Sequence, residues 1–365
     1  MAGVTMADHC ALRPDVLLCA MHDFINRIWY PASSFSPALL AAGLLLPFSG
    51  LFYLASATRR HAYRAGWLSS SAPDVPVVVV GGITAGGSGK TPLCISLVRH
   101  FQRRGLRVGV LSRGYRASGG TFPRLVGPGC DARSGGDEPC LIYRRTGAVV
   151  VIDPNRRRGA DFLRRQGVNV IVCDDGLQHY ALQRDFEIVV VDSRRQFGNR
   201  LLLPAGPLRE GLWRLDQAGC IVENGALQHN NYYCMRLQPS TPHRFNDESV
   251  SLTPGTQVCA LAGIADPQRF RDTLAALDFD VSATLAAGDH DWVSLEAIRE
   301  QARSLPVVMT EKDAVKYAGS ELENVYVLRV EAVLPPEFYE LLTEQFVAAV
   351  PRAQARARPA AAEAP

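Results

Sequence analysis

The stretch from Val75 to Pro92, VPVVVVGGITAGGSGKTP, narrows what this chain can fold into more than any other. Its first half is an unbroken apolar run of strand length. Without polar alternation, such a strand must be covered on both faces. Its second half is a glycine-rich turn, and Thr91 to Arg104 then carries a helical pattern. A buried strand turning through glycines into a helix opens a parallel α/β sheet. The same turn can close backbone N–H groups around phosphate oxygens at the positive end of the helix. Gly86, Gly87 and Gly89 supply the backbone freedom, and Thr84, Ala85 and Ser88 complete the loop. Lys90 can reach terminal phosphates, and the Thr91 hydroxyl can ligate Mg²⁺. The expected ligand is ATP with Mg²⁺. The usual pattern begins with Gly where this chain has Thr84.

The rest of the chain repeats the rhythm. Leu106 to Gly114, Gly147 to Ile152, Val168 to Gly176 and Phe186 to Asp192 read as further strands separated by helical patterns. From about 195 to 245 the alternation is lost in a Pro-, Asn- and Gln-rich stretch, read as a long loop and a linker. A second α/β unit follows, with strands in Gln257–Pro267, Leu305–Ala314 and Asn324–Val330, a helix over Gln268–Leu277 and a closing helix over Glu337–Ala349. The expected organisation is an extension over 1–23, a membrane-associated segment over 24–64, and a P-loop NTPase-like parallel-sheet domain over 65–220. A hairpin linker over 221–250, a smaller α/β domain over 251–350 and a disordered tail over 351–365 complete it.

Composition excludes several classes. With 39 basic and 36 acidic residues and a net charge of +3, the chain offers no electrostatic case for wrapping nucleic acid. Its nine cysteines are scattered and never spaced as CxxC, which argues against a disulfide framework or a zinc site. The chain reads as a monomer.

From Pro37 to Ala57 there is no charged residue, a length sufficient to cross a bilayer as a helix. Pro47 and Gly50 interrupt the run and weaken a helix. Arg59, Arg60, His61 and Arg64 follow, a basic flank suited to the cytoplasmic leaflet. Three readings compete: a shallow anchor, a true span and a buried core helix.

Four further clusters carry candidate chemistry. Asp174 and Asp175 end an apolar strand, where a carboxylate beside a P-loop strand is the expected partner of Mg²⁺ or its waters. Gln178 and His179 continue that patch. In GGDEP, Gly135 to Pro139, Asp137 can serve as the base that a kinase needs near its attacking hydroxyl, and Glu138 can serve the metal. In GDHDW, Gly288 to Trp292, His290 can orient or share a proton with a catalytic carboxylate. Arg113, Lys312 and the three arginines of DPNRRRG offer positive charge for an anionic substrate. On these residues alone, an enzyme that activates a small carboxylate with ATP and a P-loop regulatory NTPase both stay open.

The ordered set resembles the tetraacyldisaccharide 4′-kinase family, the lipid A kinases of Gram-negative bacteria. It runs through GGITAGGSGKTP, SRGY, GGDEP, CDDGLQH, FGNRLLLPAGPLRE, LAGIADP, GDHDW and VVMTEKDAVKY, over about residues 24 to 345. The family carries Thr or Ser where other P-loops begin with Gly, so Thr84 fits it. The chain departs at Gly82, where members often have Asn, and in the GDHDW variant of the family's DH block. The resemblance implies transfer of the ATP γ-phosphate to the 4′-hydroxyl of a tetraacylated glucosamine disaccharide 1-phosphate. It implies a catalytic pair of Asp137 and His290, with Lys90 on the phosphates. Thr91, Glu138, Asp174 and Asp175 then form the Mg²⁺ environment; Arg113, Gln178 and His179, read from the residues alone, are candidate substrate contacts, with a packing role for His179 equally open. It also implies two α/β domains joined by a hairpin linker, and a location at the cytoplasmic face of the inner membrane.

Overall fold

A computed structural model of the chain describes residues 24–31, 37–115, 117–129, 131–226, 228–286 and 291–357. The expected extension over 1–23, the tail from 358 and His290 lie outside them.

The first sheet has nine strands in the order β15-β8-β7-β6-β1-β5-β2-β4-β3. They are β1 (Val77–Gly81), β2 (Val108–Ser112), β3 (Arg124–Val126), β4 (Val149–Ile152), β5 (Val170–Cys173), β6 (Phe186–Asp192), β7 (Cys220–Asn224), β8 (Tyr233–Pro239) and β15 (Val330–Val333). The strands from β8 to β4 run parallel, and β15 and β3 close the two edges antiparallel. The valine run of β1 shows why it is central. Val78 and Val80 enter one core and Val77 and Val79 the other, so consecutive side chains fill opposite faces.

The helices of this layer are α2 (Lys90–Arg103), the single turn α3 (Ala132–Gly135), α4 (Asp137–Thr146) and α5 (Arg156–Arg165), with α1 (Ala38–Arg64) preceding them. Leu93, Cys94, Leu97, Val98 and Phe101 of α2 are buried, the spacing of one helical face.

The second sheet has six strands in the order β10-β9-β14-β13-β11-β12. They are β9 (His243–Arg244), β10 (Asp247–Ser251), β11 (Gln257–Ala262), β12 (Asp280–Ala286), β13 (Val307–Thr310) and β14 (Val325–Leu328). Its helices are α6 (Pro267–Ala276), α7 (Leu295–Ser304) and the short α8 (Glu311–Ala314).

Three features differ from the sequence expectations. The stretch expected as a hairpin linker over 221–250 instead supplies β7 and β8, parallel to each other, to the first sheet and the antiparallel pair β9 and β10 to the second. In β8 only Met235 is fully buried, so pairing rather than apolar periodicity makes it a strand. The last helix, α9 (Pro336–Ala357), runs past the expected boundary at 351, and Arg356 pairs with Asp185, whose side chain is buried. It also returns to the first core through Phe338 and Leu342 rather than staying with the second sheet.

α1 continues through both Pro47 and Gly50. It is not a core helix: Leu40, Leu44, Leu51 and Leu54 expose between 63% and 79% of their surface. It is long and apolar enough to cross a membrane. The protein grips it at defined points. Ser49 Oγ donates to Leu202 O at 2.8 Å and accepts from Ala205 N at 3.1 Å. Of the basic residues after the apolar run, Arg60 turns inward, whereas Arg59, His61 and Arg64 stay exposed. Arg59 donates to Gln178 O, Arg60 lies over the Trp213 ring, and Arg64 donates to Gln217.

Candidate active site

The carboxyl ends of the parallel strands of both sheets face one cavity of about 1120 Å³. From the first sheet come the P-loop after β1, Arg113 after β2, Asp174 and Asp175 after β5, Asp192 at the end of β6 and Asn224 at the end of β7. From the second come Ile264 to Asp266 after β11, Arg269 and Phe270 of α6, and Lys312 after β13. Parallel α/β sheets bind ligands at these strand ends. Phe52, Ala55, Ser56 and Arg59 of α1 line the same cavity. Its volume reaches the upper end of single-ligand pockets, room for a nucleotide and part of a second substrate.

The P-loop needs its glycines. Gly86 and Gly89 have φ of 103° and 90°, values that L side chains avoid. A Cβ on Gly89 would stand 2.5 Å from Asn224 Nδ2. Thr84 is buried and pairs with Leu208, Ala85 N donates to Pro207 O at 2.8 Å, and Arg209 N donates to Ile83 O at 2.7 Å. The LLLPAGPLRE block thus zips onto the start of the P-loop, where Thr84 fits without glycine's freedom. Lys90 Nζ lies 3.7 Å from Asp175 Oδ1 and donates to Gly86 O at 3.4 Å. At the far side, Asn224 Nδ2 donates to Ser88 O at 3.1 Å, while Arg269 donates to Asn224 Oδ1 and to Asp192.

The two strand-end aspartates differ. Asp174 is buried; its Oδ1 accepts from Cys94 Sγ, and its Oδ2 has no hydrogen-bond partner. Burial, then the charges of Glu138 and Asp175, pushes its carboxyl up to about 7. Asp175 adopts φ 48° and accepts two bonds from Arg209, at 3.0 and 2.8 Å. Burial works to raise its pKa, but the charges of Lys90 and Arg209 prevail and hold it well below the usual carboxylate range.

Asp137 begins α4 and is buried, and its Oδ1 accepts from Glu138 N at 2.9 Å. Glu138 lines the cavity. The ammonium of Lys312 stands 3.9 Å from Asp137 Oδ2 and 3.4 Å from Glu138 Oε1.

Arg113, Gln178 and His179 all line the cavity. Gln178 is held by Glu210 Oε2 at 3.0 Å and Gly82 O at 3.3 Å. Burial, then the charges of Arg156 and Arg113, pushes the His179 imidazole down to about 3, so it is neutral near pH 7. Of the DPNRRRG arginines, Arg156 is buried and donates to Asp174 O, Arg157 bonds Ser69, and Arg158 pairs with Asp153. None of the three lines the cavity, and Arg158 is exposed to solvent. Sequence reading passed over Arg209, Glu210, Asn224 and Arg269 as site residues. For the first pair the FGNRLLLPAGPLRE block was the available signal.

The arrangement can bind a triphosphate on the P-loop, set carboxylates beside it, and receive an amphiphile along α1. A sequence model of the tetraacyldisaccharide-1-P 4′-kinase family matches residues 41–347. A tetraacyldisaccharide 4′-kinase of Shewanella sp. (strain MR-4) is 45% identical over 324 residues, 88% of this chain and 95% of that one. One from Vibrio cholerae serotype O1 is 44% identical over 325 residues, 88% and 96% of the two chains. The solved structure of LpxK from Aquifex aeolicus in complex with ATP superposes with a TM-score of 0.68 at 26% identity, over 84% of this chain and 99% of that one. Motif order, the joined strand-end cavity and relatives matched nearly end to end agree: the chain belongs to the tetraacyldisaccharide 4′-kinase family.

Proposed function

We propose that the protein transfers the γ-phosphoryl group of ATP to the 4′-hydroxyl of a tetraacylated glucosamine disaccharide 1-phosphate. It is a lipid kinase of lipid A biosynthesis. The observation that carries this reading is one cavity shared by a P-loop and by the inner half of an exposed apolar helix. A soluble acceptor would give no reason for that helix to line the phosphate site.

The residues take these roles. P-loop amides and Lys90 hold the β- and γ-phosphates. Asp137 accepts the proton of the attacking hydroxyl, paired with His290 as the family resemblance implies. Arg113, Gln178 and His179 meet the sugar and phosphate of the lipid, and neutral His179 does so as a hydrogen-bonding group.

Buried Asp174, with an unpartnered oxygen and Glu138 as a like-charged neighbour, fits a divalent cation. No cluster of three or more ligating side chains occurs among the described residues. Mg²⁺ needs none, because it takes one or two carboxylates plus substrate phosphates and water. Asp174, Glu138 and the Thr91 hydroxyl would hold it; Asp175, engaged by Arg209 and Lys90, instead orients those cations. When bound, Mg²⁺ neutralises charge on the transferring phosphoryl group.

The two sheets correspond to two α/β units facing each other across the site, acting within a monomer. The exposed leucines of α1 seat the protein on the cytoplasmic face of the inner membrane, where ATP is available. In mixed micelles the purified protein should consume ATP only when the lipid acceptor is present. Equal consumption without acceptor would return the regulatory NTPase reading.

A further inference from the structure

Besides Arg269, which pairs with Asp192, the second unit sends Lys312 to the carboxylates of the first, and the support of Lys312 is unusually complete. β13 ends at Thr310, whose Oγ1 accepts from Asp313 N and donates to Asp313 Oδ2. Asp313 is buried; its Oδ2 also accepts from Gly263 N at 2.9 Å, and its Oδ1 accepts from Lys316 Nζ at 2.8 Å. Lys316, buried too, donates to Asp291 O at 2.7 Å. This satisfied buried ion pair ties together the turn after β11, α8 and Asp291 ahead of α7. A buried pair with its hydrogen bonds made costs stability when either half is removed, and it fixes geometry while intact. The neighbouring Glu311 makes a second tie, accepting two bonds from Arg145 of α4 at 2.7 and 2.6 Å.

Lys312 stands on that platform and lines the cavity. Its ammonium meets Asp137 Oδ2 and Glu138 Oε1. Asp137 Oδ1 is already engaged by Glu138 N, so the contact from Lys312 falls on the other oxygen. Adjacent carboxylates at one helix start repel each other, and a cation between them offsets that repulsion and restricts their rotamers. A phosphate would have to displace two carboxylates to claim this ammonium.

We propose that Lys312 is a positioning residue of the transfer site, delivered by the second unit to hold Asp137 and Glu138 in their working arrangement. The inference rests on the lipid-kinase reading above. A displacement of about 1 Å at a reacting group can cost on the order of 10² in rate. The test compares Lys312→Ala and Lys312→Arg with wild type, measuring kcat on the lipid acceptor, nucleotide Kd and thermal midpoint. Lys312→Ala should lower kcat about tenfold or more. Its nucleotide Kd should stay within about twofold and its midpoint within about 2 °C. Lys312→Arg should recover a substantial part of the loss, because it restores the charge. Turnover of Lys312→Ala within about twofold of wild type overturns the proposal. So does a loss shared with nucleotide affinity or thermal midpoint, or one that Lys312→Arg leaves untouched. Failure of wild type itself to phosphorylate the lipid would instead strike the reading beneath.

Discussion

Gly89 sits where backbone conformation and packing both exclude a side chain: its φ is 90° and a Cβ would press on Asn224. Gly89→Ala should weaken nucleotide binding about tenfold or more, because relief of the strain, about 1–3 kcal/mol, must distort the loop. Calorimetric titration with ATP checks this; wild-type affinity would show that the loop tolerates the added methyl. Asp137→Ala isolates the chemical step. It should lower kcat by about 10² while leaving ATP affinity nearly unchanged, the scale of lost general-base assistance. Single-turnover rates beside nucleotide Kd decide it, and near-normal turnover would remove Asp137 from the role. The P-loop and strand-end aspartates were legible because local spacing defines them. Asn224 and Arg269 were not, because each gains its role only where the two sheets meet; Arg209 had the FGNRLLLPAGPLRE block as its signal. The engagement of Asp175 by two cations was likewise invisible, since Arg209 lies far along the chain from it.

At the scale of elements, α1 and α2 make separate predictions. The outer leucines of α1 are exposed, so replacing Leu40, Leu44 and Leu51 with Gln should leave thermal stability near wild type. Liposome flotation should fall sharply, since each leucine loses on the order of 1.5–3 kcal/mol of burial in lipid. Unchanged flotation would contradict membrane attachment through this face. α2 docks on α9 through His100, which is buried, stacks on Tyr339 and contacts Thr343. Burial, then the charges of Arg104 and Arg103, pushes this imidazole down to about 4. Its folded pKa therefore lies below the unfolded value near 6.5. The unfolded chain takes up the proton first, so stability is full above about pH 6.5 and is lost as pH falls toward 4. The loss is on the order of 2–3 kcal/mol. Denaturant midpoints at pH 7.5 and 5 should differ more for wild type than for His100→Gln; equal differences would refute the assignment. The apolar run of α1 was plain in the sequence. The burial of Arg60 in its basic flank was not, since it depends on Trp213 and Glu210, both distant in the chain.

For the whole molecule, two α/β sheets could be read from continuous apolar runs. Their boundary could not, because β7 and β8 lie in a polar stretch and β15 and α9 return to the first sheet after the second is built. Such returns depend on tertiary pairing, which leaves no periodic mark. The outcome is a cavity that neither sheet forms alone, with α1 along it. The proposed reaction makes a claim about product as well as rate: the phosphate should go to a sugar hydroxyl of the lipid acceptor. The most direct measurement incubates the protein with γ-labelled ATP and the tetraacyl disaccharide 1-phosphate, then locates the label on the product. Label at the 4′-position of the distal glucosamine is the predicted result. ATP turnover with label only in inorganic phosphate, or on the existing 1-phosphate, would contradict the account.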